Sequence, residues 1–379
     1  MRRVADLPAE AWDRLAAGRV LVGRPWLQAM EDHGPGPFEP RYLLVYRDGA
    51  LVGAAVHWLW RHASGSATPD NLLLGRLQRP ATRLGLSFLP ALHCAPMRGH
   101  GGPHLLGAEP ELVLATLEQV ARNERLSLHV PRLMEADTDL VGILERRGYH
   151  LTLQDPVAVM NLPFKTYEEY VESLRAISKA APSQVRTEMR RPGKLGIEVR
   201  EITDAEPFAT RLFELANIHN RRLNGTPVSY SPTLLPAIKA RLGENCVLYG
   251  AFAQRELLGF TMGVRDGRTF NHIFIGLDDR LRRTCTYFVI AMYRPTADCI
   301  AAGIDRIYYG NLLYGVKRRR GCRILPEHFA YRASSPLRQA ALAPWFATHR
   351  AWGQRRFASI VRQDGEASSA TDGPDRGEM

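Results

Sequence analysis

Between Tyr308 and Cys322 the chain reads YYGNLLYGVKRRRGC: four consecutive cations, Lys317 to Arg320, lie between Gly315 and Gly321 and follow three tyrosines and an asparagine. An ammonium is a compact point charge that can donate to a phosphate or to the oxyanion growing on a carbonyl under attack. Guanidinium forks such as those of Arg318 and Arg320 grip phosphate oxygens in pairs. The flanking glycines let backbone approach a ligand closely. Only five of the 50 Lys+Arg are lysines, so a Lys at this spot is notable. The other reading is a solvated basic turn. Just upstream, Tyr309 and Asn311 sit where a strand ends. A phenol there could protonate a leaving group, although its ordinary pKa near 10 would need lowering. Alternation sends Tyr308 and Tyr309 to opposite faces, and the sequence does not say which one enters the core.

Two more cationic groups could hold phosphates. Arg186 and Arg190 lie one turn apart on a helix opened by Pro182-Ser183, with Ser178, Lys179 and Arg191 nearby. Arg280, Arg282 and Arg283 stand at a helix start, where the backbone dipole favours anions; cations there repel it unless an anion sits between them. Either group also reads as a solvated face. Candidate general bases are His219, His272, Asp278 and Asp279. His100 and His104 have no thiol or carboxylate at ligand spacing, so no metal is expected. Cys285 opens a helix without an evident His partner.

Elements must bring these groups together. Leu7 to Gly18 and Trp26 to His33 are predicted helices. Two apolar runs then hinge on Asp48-Gly49, a hairpin signal. Helices follow over 109–123 and 137–147, strands over 126–130, 150–154 and 157–162, while 64–107 resists assignment. The second half repeats the plan: helices at 166–174, 183–191, 204–220 and 233–241, a strand at 196–202, then three antiparallel strands turning near Gln254-Arg255 and at Asp266-Gly267. A helix over 284–302, interrupted by Pro295, precedes a strand ending at Tyr309-Gly310, a basic turn, and a last strand within LPEHFAYR. The hairpin motif DGALVG (48–53) is echoed by ELLG (256–259), which implies two copies of one α+β unit. One or two helices are expected over 336–363, and the tail from 364 to 379 is too polar to pack.

Four stretches carry a resemblance: FKTYEEYVESLRAISKAAPSQVRTEMRR (164–191), YGAFAQRELLGFTMGV (249–264), TCTYFVIAMYRPTADCIAAGIDRIYYG (284–310) and GVKRRRGC (315–322), with PWLQAMED (25–32) similar to a first-domain opening. Together they resemble the GNAT-fold acyltransferases, and within them the FemAB-like tandem proteins. The resemblance implies an α+β fold of two tandem GNAT-like domains, 1–155 and 156–335, each a mixed, mainly antiparallel sheet flanked by helices, with the active site in the second. It implies transfer of an acyl or aminoacyl group to an amine, from acyl-CoA or aminoacyl-tRNA as co-substrate, with no tightly bound cofactor. Simple GNAT enzymes bind pyrophosphate on a glycine-rich turn before the core helix; here that place reads RLRRTCT (280–286), without glycine.

The net charge of +11 favours polyanionic partners, and with the missing glycines it tips the choice of donor toward tRNA. The acceptor, an amine-bearing small molecule or cell-wall precursor, stays open. Five cysteines, odd in number and without a CxxC, argue for a reducing compartment. With no signal peptide or membrane span, a cytoplasmic protein is expected, with peripheral contact to the inner membrane face. The rival class is a GNAT-like scaffold without chemistry, docking on RNA or anionic lipid.

Overall fold

The computed structural model describes residues 1–36, 38–61, 69–83 and 86–367. The chain forms two compact units, one built from 1–156 and 325–359, the other from 157–324 and the residues from 360 onward.

The first unit opens with helices Ala9–Ala16 and Arg24–His33 and continues into strands β1 (Glu39–Arg47), β2 (Ala50–Trp60), β3 (Ala91–Cys94), β4 (Leu106–Gly107), β5 (Ser127–Leu133) and β6 (His150–Leu153). β1 and β2 pair antiparallel across Asp48-Gly49, whose φ values of 50° and 78° make the primed turn that matches strand twist. Helix Pro110–Asn123 lays Val113, Leu114 and Leu117 on Leu92, Leu128 and Val130, which form the core of this sheet. Of the stretch 64–107, residues 64–68, 84 and 85 fall outside the described residues.

The second unit contains β7 (Val157–Asn161), β8 (Ile197–Glu201), β9 (Cys246–Ala253), β10 (Glu256–Asp266), β11 (Thr269–Leu277), β12 (Arg306–Tyr308) and β13 (Arg323–Leu325), ordered β13-β7-β12-β11-β10-β9-β8. Helices Ala181–Lys194, Ala209–Asn224 and Leu234–Leu242 flank it. The three-strand meander turns at Gln254-Arg255 and Asp266-Gly267 as the sequence predicts.

Four expectations change. The last strand, β14 (His328–Arg332), pairs with β5 and β6, so it belongs to the first sheet and not to a domain ending at 335; the first sheet reads β1-β2-β3-β5-β14-β6, with β4 on β2. The basic turn is a short helix, Tyr314–Arg318. Residues beyond 335 form one helix, Pro336–Ala367, so the polar tail is helical to 367 and its remainder, 368–379, lies outside the described residues. Pro295 does not break its helix. The turn before it, Val289–Tyr293, is a π-segment in which Arg294 N–H bonds Val289 O, five residues back. In that register Pro295 would serve Ile290 O but has no N–H, and the Thr261 hydroxyl donates to Ile290 O instead at 2.8 Å.

Candidate functional site

β11 and β12 run parallel over three pairs, Thr269–Asn271 against Arg306–Tyr308, and then part. β12 stops while β11 continues to Leu277. At the parting, β11 slips register against β10 between Met262 and Gly263, so Ile273 is an extra, bulged residue that re-aims its neighbours. The opened wedge is a cavity of about 180 Å³, closed by helix Ala209–Asn224, by the turn before Thr286 and by residues 309–317.

Tyr309, Asn311, Lys317, His219 and Arg283, all expected from sequence, line this cavity together, as does His272. Their roles differ from expectation in three cases. Lys317 is 3% exposed and its Nζ donates to Tyr309 O (2.8 Å), Gly310 O (3.1 Å) and Asn311 O (3.1 Å). Its three protons are thus committed, and it pins a turn in which Gly310, Leu312 and Leu313 take positive φ. Burial pulls its pKa down to about 8, so it is mainly cationic at neutral pH. It shapes the cavity wall rather than donating to a ligand. Tyr309 turns its hydroxyl to Thr296 Oγ1 (2.9 Å) and Met292 O (3.4 Å), behind the cavity, and burial raises its pKa far above 10. The ring is wall; the phenol is no general acid. Tyr308 is buried as well.

The two histidines are both neutral but differ in their partners. Arg222 Nη2 approaches His219 Nδ1 at 3.3 Å, and since a guanidinium only donates, Nδ1 accepts and the proton resides on Nε2. Burial, assisted by Arg222, lowers the His219 pKa to about 4. His219, expected as a base, is therefore a neutral N–H donor. His272 is neutral too, held to about 3 by burial and then by Lys317 and His219, and its buried Nε2 has no hydrogen-bond partner. That nitrogen is left unpartnered beside the cavity. Arg222 was missed from sequence, although its i, i+3 spacing from His219 on one helix was the available signal.

At the cavity rim, Arg283 and Cys285 have φ of 60° and 61°, just ahead of helix Thr286–Phe288. Positive φ, which glycine adopts without strain, is taken here by L-residues, and the Thr284 and Thr286 amides donate within the turn to Leu281 O and Thr284 Oγ1. Arg283 is exposed beside it.

The remaining cations are placed elsewhere. Arg280 pairs with Glu256 and Asp278, holding the Asp278 carboxyl well below its usual range, and Arg282 pairs with Asp279 (3.2 Å). Neither carboxylate is a free base. Arg186 is bound by Glu168 and Glu172, and Arg190 is exposed outside the cavity lining. Arg318 reaches Val361 O at 3.3 Å. Arg320 is buried, clamped by both Glu188 oxygens (2.9 and 2.8 Å) and Tyr293 Oη (2.8 Å), with its guanidinium 3.5 Å from the Phe288 ring centre. It is a structural clamp and not a phosphate grip.

The FemAB-like family model, described as peptidoglycan biosynthesis and recognition, matches residues 3–364. Comparison with curated proteins finds no match. Among solved structures, FemX superposes with a TM-score of 0.56 at 12% identity, covering 88% of this chain and 98% of that one. A C-terminal domain, DUF2156, of an Agrobacterium fabrum protein named as a lysylphosphatidylglycerol synthetase gives 0.54 at 9% identity over 90% and 95% of the two chains. A conserved protein of unknown function from Bacteroides thetaiotaomicron gives 0.52 at 12% over 86% and 98%. These likenesses show the fold that the two sheets already display. The chain belongs to the FemAB-like family.

Proposed function

We propose that the second-unit cavity moves an aminoacyl group from tRNA to an amine on a cell-wall precursor. The observation that carries this is the pair of neutral histidines, His219 with its Nδ1 held by Arg222 and His272 with an unpartnered Nε2, in a wedge rimmed by Arg283. The acceptor nitrogen attacks the ester carbonyl; the C–N bond forms as the carbonyl electrons move to oxygen. His219 Nε2–H stabilises that oxyanion, and His272 Nε2 takes the amine proton. Collapse breaks the C–O bond to ribose, and the His272 proton leaves with the ribose oxygen. Arg283 would face the donor's phosphates. The family's tie to peptidoglycan supports the acceptor class, and the +11 charge supports an RNA donor over acyl-CoA.

Mass spectrometry of a cell-wall peptide bearing a free amine, incubated with purified protein and either aminoacyl-tRNA or acyl-CoA, tests the reading. The expected product carries one added residue with the RNA donor, and His272→Ala lowers kcat about a hundredfold or more while donor binding persists. Transfer from acyl-CoA alone would replace the donor. Full activity in His272→Ala would remove the proposed base.

A further inference from the structure

Helix Pro336–Ala367 leaves one stripe uncovered. On its inward side Phe346 stacks on Tyr331 and His150, and Gly353 lies against Leu153, all within the first unit. On the other side Leu337, Ala341, Trp345, Thr348 and Trp352 recur every three or four residues and so share a face. Leu337 is 83% exposed, Trp345 37% and Trp352 54%. Single exposed apolar side chains are ordinary, but a row with two tryptophans marks an interaction surface.

Charge selects the partner. From residue 336 to 363 there are five arginines (338, 350, 355, 356, 362) and no Asp or Glu; Arg356 pairs with Asp155, Arg338 and Arg350 donate to Ser87 O and Leu151 O, and Arg355 is exposed. A second copy of the same helix would meet like charge. A folded RNA would match the cations but would gain little from Leu337 and Ala341, which offer no stacking face. An anionic phospholipid surface uses both features: tryptophans settle at headgroup depth, small apolar side chains dip below it, and arginines meet phosphates. We infer that the stripe Leu337–Trp345–Trp352, with its arginine border, docks the protein on an anionic phospholipid surface. This does not depend on the transfer reaction or its donor.

Intrinsic fluorescence isolates the site. Of six tryptophans, Trp12, Trp26, Trp58 and Trp60 are at most 3% exposed, so a change on adding vesicles reports Trp345 and Trp352. Full-length protein is expected to co-sediment with phosphatidylglycerol-containing vesicles but not with pure phosphatidylcholine vesicles, with a blue-shifted emission that brominated lipid quenches. Combined Leu337→Ser, Trp345→Ser and Trp352→Ser should cut the partition coefficient about tenfold or more. Arg355→Gln should weaken binding in low salt. Quenching of the wild-type protein by brominated lipid needs no variant, so it stands even where the triple substitution disturbs folding. Emission untouched by brominated lipid overturns the inference. So does undiminished sedimentation of a triple variant that melts like wild type. A wild-type dimer dissolved by the same substitutions would assign the stripe to a second copy, and loss of tRNA binding without any vesicle binding would assign it to RNA.

Discussion

Lys317 stands where a catalytic ammonium would, yet its chemistry is spent on three backbone carbonyls. The sequence showed that an unusual lysine lay beside this site; it could not show that the turn 309–311 would fold back onto it, because that depends on positive φ at Gly310, Leu312 and Leu313. Lys317→Met should strand those carbonyls and lower stability by about 2–4 kcal/mol, and Lys317→Arg should not restore it, since a planar fork does not converge on three acceptors. Urea unfolding of the three proteins checks this; a wild-type midpoint for Lys317→Arg would count against the convergent geometry. The histidines make a second prediction. His57, His129 and His272 are held near 3 and His219 near 4 by burial, all below the ordinary 6.5. A base whose folded pKa is depressed leaves the unfolded chain binding more protons between the two values, so stability falls as pH drops from about 6.5 toward 4. Urea midpoints measured across that range should decline steadily; a flat profile between pH 6.5 and 5 would mean these histidines are not held neutral.

The helix from Thr286 to Ala301 shows what propensity can and cannot forecast. Pro295 was legible as a disturbance, but its remedy was not, because the substitute donor, Thr261, sits on β10, 34 residues away in sequence. The π-turn and the proline share one vacancy at Ile290 O, and a buried hydroxyl fills it. Thr261→Val keeps the shape and removes the donor, so it should cost about 1–3 kcal/mol. Pairing it with Pro295→Ala returns an N–H to the helix and should recover much of that loss. Thermal melting of the single and double variants decides the point: additive losses would show that the hydroxyl and the proline act independently. The hairpins were easier to read, since Asp48-Gly49 carries its turn conformation in its own residues. The divergence of β11 from β12, which makes the cavity, follows from a bulge and a strand end that no local pattern announces.

The two sheets repeat one order. In the first, β2 leads antiparallel to β3, β3 pairs parallel with β5, and β14 fills the place between β5 and β6; in the second, β10, β11, β12, β7 and β13 take the same places. The duplication suggested by the echoed hairpins is real, but the filling strand of the first sheet, β14, comes from beyond the second unit, whereas β7 is the second unit's own first strand. β7 follows β6 and goes to the second sheet; β14 follows β13 and goes to the first. The cut at 155 falls at the observed division, but a linear cut at 335 misses the returning strand, because its membership is set by pairing over nearly 200 residues and no periodicity encodes it. The returning strand predicts how fragments behave. Residues 1–156 alone lack β14, whose Phe329, Ala330 and Tyr331 are fully buried, and are left with two unpaired edges where β5 and β6 should each be bonded to it. That fragment should be aggregated or molten, with no cooperative melt, whereas the same fragment joined by a flexible linker to residues 325–359 should melt cooperatively. Circular dichroism melts of both answer the question: a cooperative transition in residues 1–156 alone would show that the first unit does not need the returning strand.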